Sequence, residues 1–182
     1  MTSVRKINLI LGFNSVVDET CLFNIRRDGK SRIPICLNGD KNKIVAFLLT
    51  KSLVGVDPAQ KKTIEELYQE KRINIRVPLF MHRESILGKM VKVFQTSHTH
   101  MAVVLQTAEA AQEMRDYADD YLRKLTASKT LSVNDSQVDR KTPLLQDQGR
   151  SIPDGDREVV GIVTLENIIE RILLQDILDE ND

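Results

Sequence analysis

The sequence lacks an excess of either charge. Its 182 residues include 26 Lys and Arg and 26 Asp and Glu, so the formal net charge is zero. Proteins that bind nucleic acid usually carry a basic patch or stripe. A balanced charge gives no indication of such a surface, and we expect no nucleic-acid partner. The hydrophobic share of 41% and the charged share of 29% are typical of a compact chain with a core.

Cysteine and long hydrophobic runs are also scarce. The two cysteines, Cys21 and Cys36, stand in neither a CxxC nor a CxxH spacing. A disulfide framework or a zinc site is therefore not expected, and a reducing, cytosolic setting is favoured. The longest apolar runs, such as 44–49 and 101–105, are far shorter than the roughly 20 residues of a membrane-spanning helix. No charged-then-apolar leader opens the chain, so we expect a soluble polypeptide without a signal peptide.

Two pairs of similar segments indicate an internal repeat. Residues 31–35 and 99–103 share the order hydroxyl, basic, apolar, small and β-branched. Residues 44–49 and 159–164 are both apolar runs that lead into a helical pattern. The members of the first pair are separated by 68 positions and those of the second pair by 115. The second copy therefore has about 47 extra residues, which we place at about 106–158.

Each half has the periodicity of a βαββα unit. We interpret the chain as an α/β protein of two such repeats, 1–62 and 63–182, with small mixed sheets packed on helices. Thr63 and Glu66 have the spacing of a capping box. The predicted helices are 16–27, 84–94 and 165–178, and the predicted strands are 32–36, 43–49, 75–80, 101–105 and 159–163. The apolar stripe predicted to be buried in the last helix is Leu165, Ile168, Ile169, Ile172, Leu173 and Ile177.

The insertion has two parts of different composition. Residues 108–125 are rich in Ala, Glu and Asp, with apolar residues at helical spacing, and predict an extra surface helix. Residues 126–156 are rich in Ser, Thr, Asp, Gln and Gly and have little periodicity. We interpret them as a mobile, solvated loop.

The junction at 161–167, where a strand runs into a helix, has the clearest chemical pattern. A helix start presents unpaired N–H groups and a partial positive charge, which suit a phosphate. Gly161 permits close approach of a ligand or another backbone, Thr164 offers a hydroxyl, and Asn167 can hydrogen-bond a ribose diol. Taken alone, the segment favours a structural interpretation, because a Thr before a helix is a common N-cap that contributes about 1 kcal/mol.

The histidines form no catalytic or metal-binding pattern. His98 and His100 share one face of a predicted strand, but no carboxylate or cysteine stands at metal-ligand spacing beside them. His82 is alone in a predicted turn. No Ser/His/Asp or Cys/His arrangement can be defended, so we do not expect an enzyme.

Several segments match, in order, the motifs of one family. Met1-Thr2 stands where the family opens its module, Ser31-Arg32-Ile33-Pro34 resembles its first central strand, 49–53 its VKDL segment and 92–103 its FKKGxSHLAIV segment. Residues 159–170 are close to VVGIVTLEDVIEE, and Ile177-Leu178-Asp179-Glu180 to the EILDE that follows. Together these segments resemble the tandem cystathionine-β-synthase (CBS) pair, or Bateman module, of the cyclin M / CorC (DUF21) divalent-cation transporters. The resemblance covers nearly the whole chain except the insertion.

The resemblance implies a regulatory module on the cytosolic side of a membrane, attached to the transmembrane domain of a parent protein and paired as a homodimer. It implies that ATP, or another adenine nucleotide, binds in the cleft between the repeats with Mg²⁺ on its phosphates. In animal relatives a loop of the second repeat recruits a phosphatase, so the insertion is a possible protein-partner site. Carried over by position, Thr164 meets the phosphates and Asn167 the ribose, while Val77, Thr99, Met101 and Ala102 line the base pocket.

Two departures from the family pattern bear on affinity. The family usually has Asp at the position of Asn167, and an amide can bond a diol but lacks the charge. In the first repeat, Ala46, Leu49 and Ser52 occupy the places of Gly161, Thr164 and Asn167, so we expect no nucleotide there. Two hypotheses stay open: a sensor that couples ATP to dimer geometry and ion transport, and a dimerisation and docking scaffold without a ligand.

Overall fold

The computed structural model describes residues 2–37, 39–85, 87–97, 99–127 and 159–179. The strands are β1 (Thr2–Ser3), β2 (Leu11–Gly12), β3 (Arg32–Leu37), β4 (Asp40–Leu49), β5 (Ile75–Arg76), β6 (Leu79–His82), β7 (Met101–Leu105) and β8 (Val159–Thr164). The helices are α1 (Glu19–Asp28), α2 (Ile64–Gln69), α3 (Leu87–Ser97), α4 (Ala108–Ala127) and α5 (Leu165–Asp179). Short 3-10 turns cover Val4–Lys6, Thr50–Leu53 and Pro58–Gln60.

The strands form two four-stranded mixed sheets with the same plan. The first sheet has the order β2-β3-β4-β5 and the second the order β6-β7-β8-β1. In each sheet a parallel outer pair is followed by two antiparallel pairs. The predicted α/β class with small mixed sheets is confirmed. The division at 62/63 stays a prediction, and each sheet takes one strand from across it, because β1 completes the second sheet and β5 the first.

The strand predicted over 75–80 is wrong as a single element. β5 pairs with β4, whereas β6 pairs with β7 in the other sheet. Val77 and Pro78 separate them. A proline has no N–H to donate to a ladder, and it restricts the backbone of the residue before it. The chain therefore changes sheets at this dipeptide.

Equivalent hydrogen bonds show how the two repeats correspond. The Thr50 N–H donates to the Ser31 carbonyl at 3.1 Å, and the Leu165 N–H donates to the His100 carbonyl at 3.0 Å. These bonds equate positions that lie 69 and 115 residues apart. The separation of 68 predicted for the first pair is therefore wrong by one residue, and the second repeat is 46 residues longer than the first. A short pattern of small and apolar residues does not distinguish registers that differ by one.

A shared β-bulge supports this correspondence. The register skips residue 45 between β3 and β4 and residue 160 between β7 and β8. The two positions are again 115 residues apart. A bulge inserts one extra residue into one strand and increases the local twist. The local twist is therefore increased at equivalent positions of β4 and β8, a few residues before each strand ends.

The hydrophobic core has two parts. The larger cluster lies between the sheets and includes Ile35 and Leu48 of the first sheet with Val103 and Ile162 of the second. A smaller cluster covers the other face of the second sheet, where α3 packs on α5. Its buried residues are Met81, Met90, Phe94, Ala102, Val104, Val163 and Ile168.

The predicted helix of the insertion is present as α4, but it is not a surface helix. It contacts β4, β6, β7 and α2, and therefore joins elements of both repeats. The Tyr121 ring lies 5.2 Å from the Phe13 ring, and burial, with a smaller contribution from the Glu65 carboxylate, raises the pKa of Tyr121 to about 12. The small side chains that suggested a solvated helix instead allow close packing. The buried residues of α4 are Ala110, Ala111, Met114, Ala118, Leu122 and Leu125.

The helix ends and the last apolar stripe also differ from the predictions. α1 begins at Glu19 and not at 16, because the Asp18 carboxylate accepts a hydrogen bond from the Cys21 N–H at 2.7 Å and caps the helix. α3 covers 87–97, where 84–94 was predicted. In α5, Ile168 is buried, but Ile169 and Leu173 are 44% and 56% exposed. The predicted loop at 126–156 lies, after residue 127, outside the described residues, as do His98 and Ile86.

Candidate functional site

The predicted junction is formed by the end of β8 and the start of α5. Thr164 pairs with Met101 of β7 and is the last strand residue. The Thr164 hydroxyl accepts a hydrogen bond from the Asn167 N–H at 3.2 Å and lies 2.9 Å from the Asn167 side-chain oxygen. That oxygen also accepts from the Thr164 N–H at 3.3 Å. The structure therefore brings the two predicted ligand residues together, in the reciprocal geometry of a capping box.

Most of the N–H groups at this helix start are already paired. A helix leaves its first N–H groups without partners inside the helix, here those of residues 164–167. The Leu165 N–H is bonded to the His100 carbonyl, and the Thr164 and Asn167 N–H groups are bonded within the cap. Within the described part of the chain, the Glu166 N–H is the one of these four with no such partner. A phosphate would therefore find one free amide next to a hydroxyl.

Gly161 lies further from the junction than a phosphate contact would require. It pairs with Val104 on one side and with Ser3 of β1 on the other. It is three residues before Thr164, which corresponds to about 10 Å along a strand. Every residue of a central strand pairs in this way, so the close approach of a ligand or another backbone at Gly161 stays a prediction.

The residues predicted to line a base pocket are divided between the faces of the second sheet. Val77 and Met101 are partly buried and pack against the core between the sheets. Ala102 is fully buried in the smaller cluster below α3 and α5. Thr99 precedes β7, and its hydroxyl lies 3.1 Å from that of Ser97. Met101 and Ala102 thus point to opposite faces, and a ligand beside Met101 could reach Ala102 only through its backbone.

The corresponding junction of the first repeat has a different structure. β4 leads into the 3-10 turn Thr50–Leu53 and not into an α-helix. The Ser52 hydroxyl donates to the Leu49 carbonyl at 2.7 Å and accepts from the Asn74 N–H at 2.9 Å. Ala46 is fully buried at the centre of the sheet. The Ser52 hydroxyl is therefore already paired, and the turn provides no α-helix start.

The described residues contain no group of three or more His, Cys, Asp and Glu that could hold a metal ion. His100 is exposed and uses its carbonyl in the sheet, while His98 is outside the described residues. Cys36 is buried in β3, and burial is the main cause of its raised pKa. None of the helices in the described ranges is both long and apolar enough to cross a membrane.

Sequence reasoning missed one concave feature. A cavity of about 200 Å³ lies against the outer edge of β6, between α3 and α4. Its lining includes His82, Ser85, Gln112 and Arg115, and it does not include Thr164 or Asn167. No motif marks it, because it is made by α4, which belongs to the insertion and has no counterpart in the first repeat.

Two sheets of one plan, each a parallel pair extended by antiparallel strands, with a strand-to-helix junction in the second, define a pair of CBS domains. A solved structure of the CBS domain of a bacterial CNNM/CorC family Mg²⁺ transporter in complex with ATP has this fold. It aligns with a TM-score of 0.57 and 16% identity, over 95% of this chain and 83% of that one. No protein-family model matches the sequence.

Two relatives specify the relationship. A DUF21 domain-containing protein of Arabidopsis thaliana is 30% identical over 196 residues, which cover 94% of this chain and 38% of the plant protein. The metal transporter cnnm-1 of Caenorhabditis elegans is 24% identical over 182 residues, which cover all of this chain and 17% of the transporter. The chain is homologous to the DUF21 and CNNM proteins, as its motifs predicted, and it spans well under half the length of these two relatives.

Proposed function

We propose that this chain is the cytosolic regulatory module of a membrane divalent-cation transporter, and that ATP binds where β8 meets α5, with Mg²⁺ on its phosphates. The observation that carries the proposal is the pairing of Thr164 and Asn167 beside the Glu166 N–H, which has no partner among the residues that the structure describes. The bacterial CNNM/CorC domain of the same fold is an ATP complex. No catalytic step is proposed.

Binding would exchange hydrogen bonds within the cap for hydrogen bonds to the ligand. A phosphate oxygen can accept from the Glu166 N–H and from the Thr164 hydroxyl, which now meets the Asn167 side-chain oxygen. The ribose diol can then donate to that oxygen. Exchanges of this kind change the net free energy by little, because each bond replaces another. The base would lie beside Val77 and Met101. Both side chains are partly buried and pack against the larger hydrophobic cluster.

The exposed apolar side chains of the second repeat support a homodimer. Val93 of α3 and Ile169 and Leu173 of α5 are between 38% and 56% exposed, and the two helices pack together. Large apolar groups on adjacent helices are typical of an interface. A nucleotide at the start of α5 would then act on the helix that carries the interface, and it could shift the dimer by its different affinity for two arrangements.

The rest of the parent protein is part of the same proposal. The relatives extend well beyond the matched region, and we assign the membrane domain to that remainder. A protein partner at the insertion would meet the exposed face of α4 or the residues that follow it, because the other face of α4 is buried in the core.

Calorimetry with ATP and Mg²⁺ tests the nucleotide site. We expect binding to the wild-type chain and none to Thr164→Val. That substitution also removes an N-cap, so its matched control is Thr63→Val, which removes the N-cap of α2. The Thr63 hydroxyl accepts from the Glu66 N–H at 3.2 Å, the same distance as between the Thr164 hydroxyl and the Asn167 N–H. Both variants should lose about 1 kcal/mol of stability, but only Thr164→Val should lose the ability to bind ATP. Equal ATP affinity in both variants would contradict the site assignment.

One observation favours the scaffold as a second candidate. The cap at Thr164 is complete without a ligand, so the helix start is stable with no nucleotide bound. A scaffold predicts no heat with any adenine nucleotide but a dimer in solution. A thermal-shift screen of adenine nucleotides distinguishes the two candidates, because a ligand that binds only the folded state raises the melting temperature.

A further inference from the structure

The cavity at the edge of β6 is separate from the nucleotide junction. It is bounded by β6, by Val93 of α3, and by the first half of α4 from Ala108 to Arg115. In the second sheet β7 lies between β6 and β8, so the cavity and Thr164 are on opposite sides of β7. A ligand here would not use the groups proposed to bind ATP.

The charged and polar side chains of this cavity are suited to an anion. The lining contains Arg115 and no Asp or Glu. Arg115 is half-buried and makes no ion pair or hydrogen bond with another residue in the described part of the chain. A guanidinium is always charged and binds carboxylates in a planar, two-pronged geometry. His82 and Ser85 add side chains that can donate.

The edge strand supplies two backbone donors. The Arg83 N–H donates to the Leu105 carbonyl of β7 at 2.9 Å. In a parallel pair, alternate residues direct both their N–H and their C=O groups to the partner, so both groups of Phe80 and of His82 point away from β7 to the outer edge. The His82 carbonyl accepts a hydrogen bond from the Ser85 N–H at 3.0 Å. An edge strand leaves such groups without ladder partners, and the cavity lies along this edge. The edge therefore presents the N–H groups of Phe80 and His82, beside the Phe80 carbonyl, to a cavity that Arg115 also lines.

Apart from the amide of Gln112, the remaining walls are apolar, and they limit the size of the ligand. They include Leu79, Met81, Val93 and Ala111. A cavity of about 200 Å³ is smaller than the roughly 300–1,000 Å³ typical of drug-sized ligands. We propose that it binds a small organic monocarboxylate, with the carboxylate at Arg115 and the outward N–H groups and a short apolar tail against Val93 and Ala111.

The test uses sodium 3-methylbutanoate as the probe and its neutral amide as the matched control compound. Backbone amide shifts of the full chain are followed by NMR during each titration. We expect the carboxylate, but not the amide, to shift Phe80, His82 and Arg115. Arg115→Gln should lower the affinity for the carboxylate about tenfold, which is the loss expected for one charge-assisted contact.

Arg123→Gln, on the exposed face of the same helix, should leave that affinity unchanged.

A second variant separates loss of binding from loss of fold. Ala108 is exposed at the start of α4 and lines the cavity, so Ala108→Leu fills the space without changing charge or a core contact. It should abolish the shifts while the rest of the spectrum is retained. Equal responses to acid and amide, unchanged binding in both cavity variants, or no shift at the highest soluble concentration would each overturn the proposal. Displacement of the probe by ATP with Mg²⁺ would also overturn it, because the probe would then report the nucleotide junction.

Discussion

The Thr164 hydroxyl lies 2.9 Å from the side-chain oxygen of Asn167, and the two residues cap α5 together. The same arrangement occurs at α2, where the Glu66 carboxylate accepts from the Thr63 N–H at 2.8 Å. A structural cap and the proposed ligand site therefore have the same geometry. They differ in how many acceptor oxygens of the side chain three residues after the Thr remain available to a ligand. The single amide oxygen of Asn167 is already engaged by the cap, whereas a carboxylate has two acceptor oxygens.

This difference predicts the effect of Asn167→Asp. One carboxylate oxygen can keep the Thr164 N–H while the other accepts from the ribose diol, and hydrogen bonds to charged groups are stronger than neutral ones. We expect about tenfold tighter ATP binding by calorimetry and a small gain in stability, because a negative charge in the first turn of a helix is favourable. Asn167→Ala should lower both the affinity for ATP and the stability of the folded chain. An affinity no higher in Asn167→Asp than in the wild type would count against contact with the ribose.

The number of nucleotides bound per chain is a separate prediction. The first repeat has a 3-10 turn in place of a helix start, and the Ser52 hydroxyl is used by Leu49 and Asn74. We expect calorimetry to give one ATP per chain, and Leu49→Thr to leave that number unchanged because it adds a hydroxyl but not a helix start. A stoichiometry of two, in either protein, would show that the helix is dispensable.

Local patterns in the sequence predicted those features that depend on neighbouring residues alone. The capping box at Thr63 and Glu66 and the junction at Thr164 were both predicted, because a cap is made by side chains three positions apart. The strand change at Pro78 was missed. A proline indicates a break, but it does not say to which sheet the next strand will pair, and that depends on contacts distant in sequence.

The burial of α4 was missed for a similar reason. Its Ala and Met residues have helical spacing, but whether that face meets solvent depends on the gap left between β4, β6 and α2. Ile169 shows the opposite error. It continues the apolar stripe of α5, yet the fold of one chain covers only Ile168 and its neighbours on one side. A stripe in the sequence predicts burial without saying whether the partner is the same chain or a second one.

Truncation of Met114 tests the structural role of α4. Its side chain is 4% exposed and lies in the core shared by both sheets. We expect Met114→Ala to lower the free energy of unfolding by about 2–5 kcal/mol, from lost burial and the cavity left behind. Asp119→Ala on the exposed face of the same helix should change it by less than about 0.5 kcal/mol. Denaturant unfolding measures both, and equal effects would mean that α4 is detached in solution.

Stability at high pH should depend on Tyr121. Burial raises its pKa from 10.0 to about 12 in the folded chain, so between these values the folded state keeps a proton that the unfolded state has lost. The stabilisation is complete below pH 10.0 and is lost as the pH rises through about 12. Tyr121→Phe cannot ionise, so its unfolding free energy should fall less steeply over this range. Parallel curves for the two proteins would show that the phenol is solvated in the native state.

The exposed apolar face of α5 predicts how dimerisation can be disrupted. Burial of a large aliphatic side chain contributes about 1.5–3 kcal/mol, and Ile169 and Leu173 lie four residues apart, on one side of the helix. Replacing both with Glu places charges where a partner would bury apolar surface, so we expect a monomer by sedimentation equilibrium, with unchanged circular dichroism. The matched control is Val54→Glu, because Val54 is 87% exposed and lies outside the helices.

The control substitution should leave the dimer intact. If the wild-type chain is itself a monomer at high concentration, or if the double variant stays a dimer, the interface lies elsewhere and ATP cannot act on it through α5 in the way proposed.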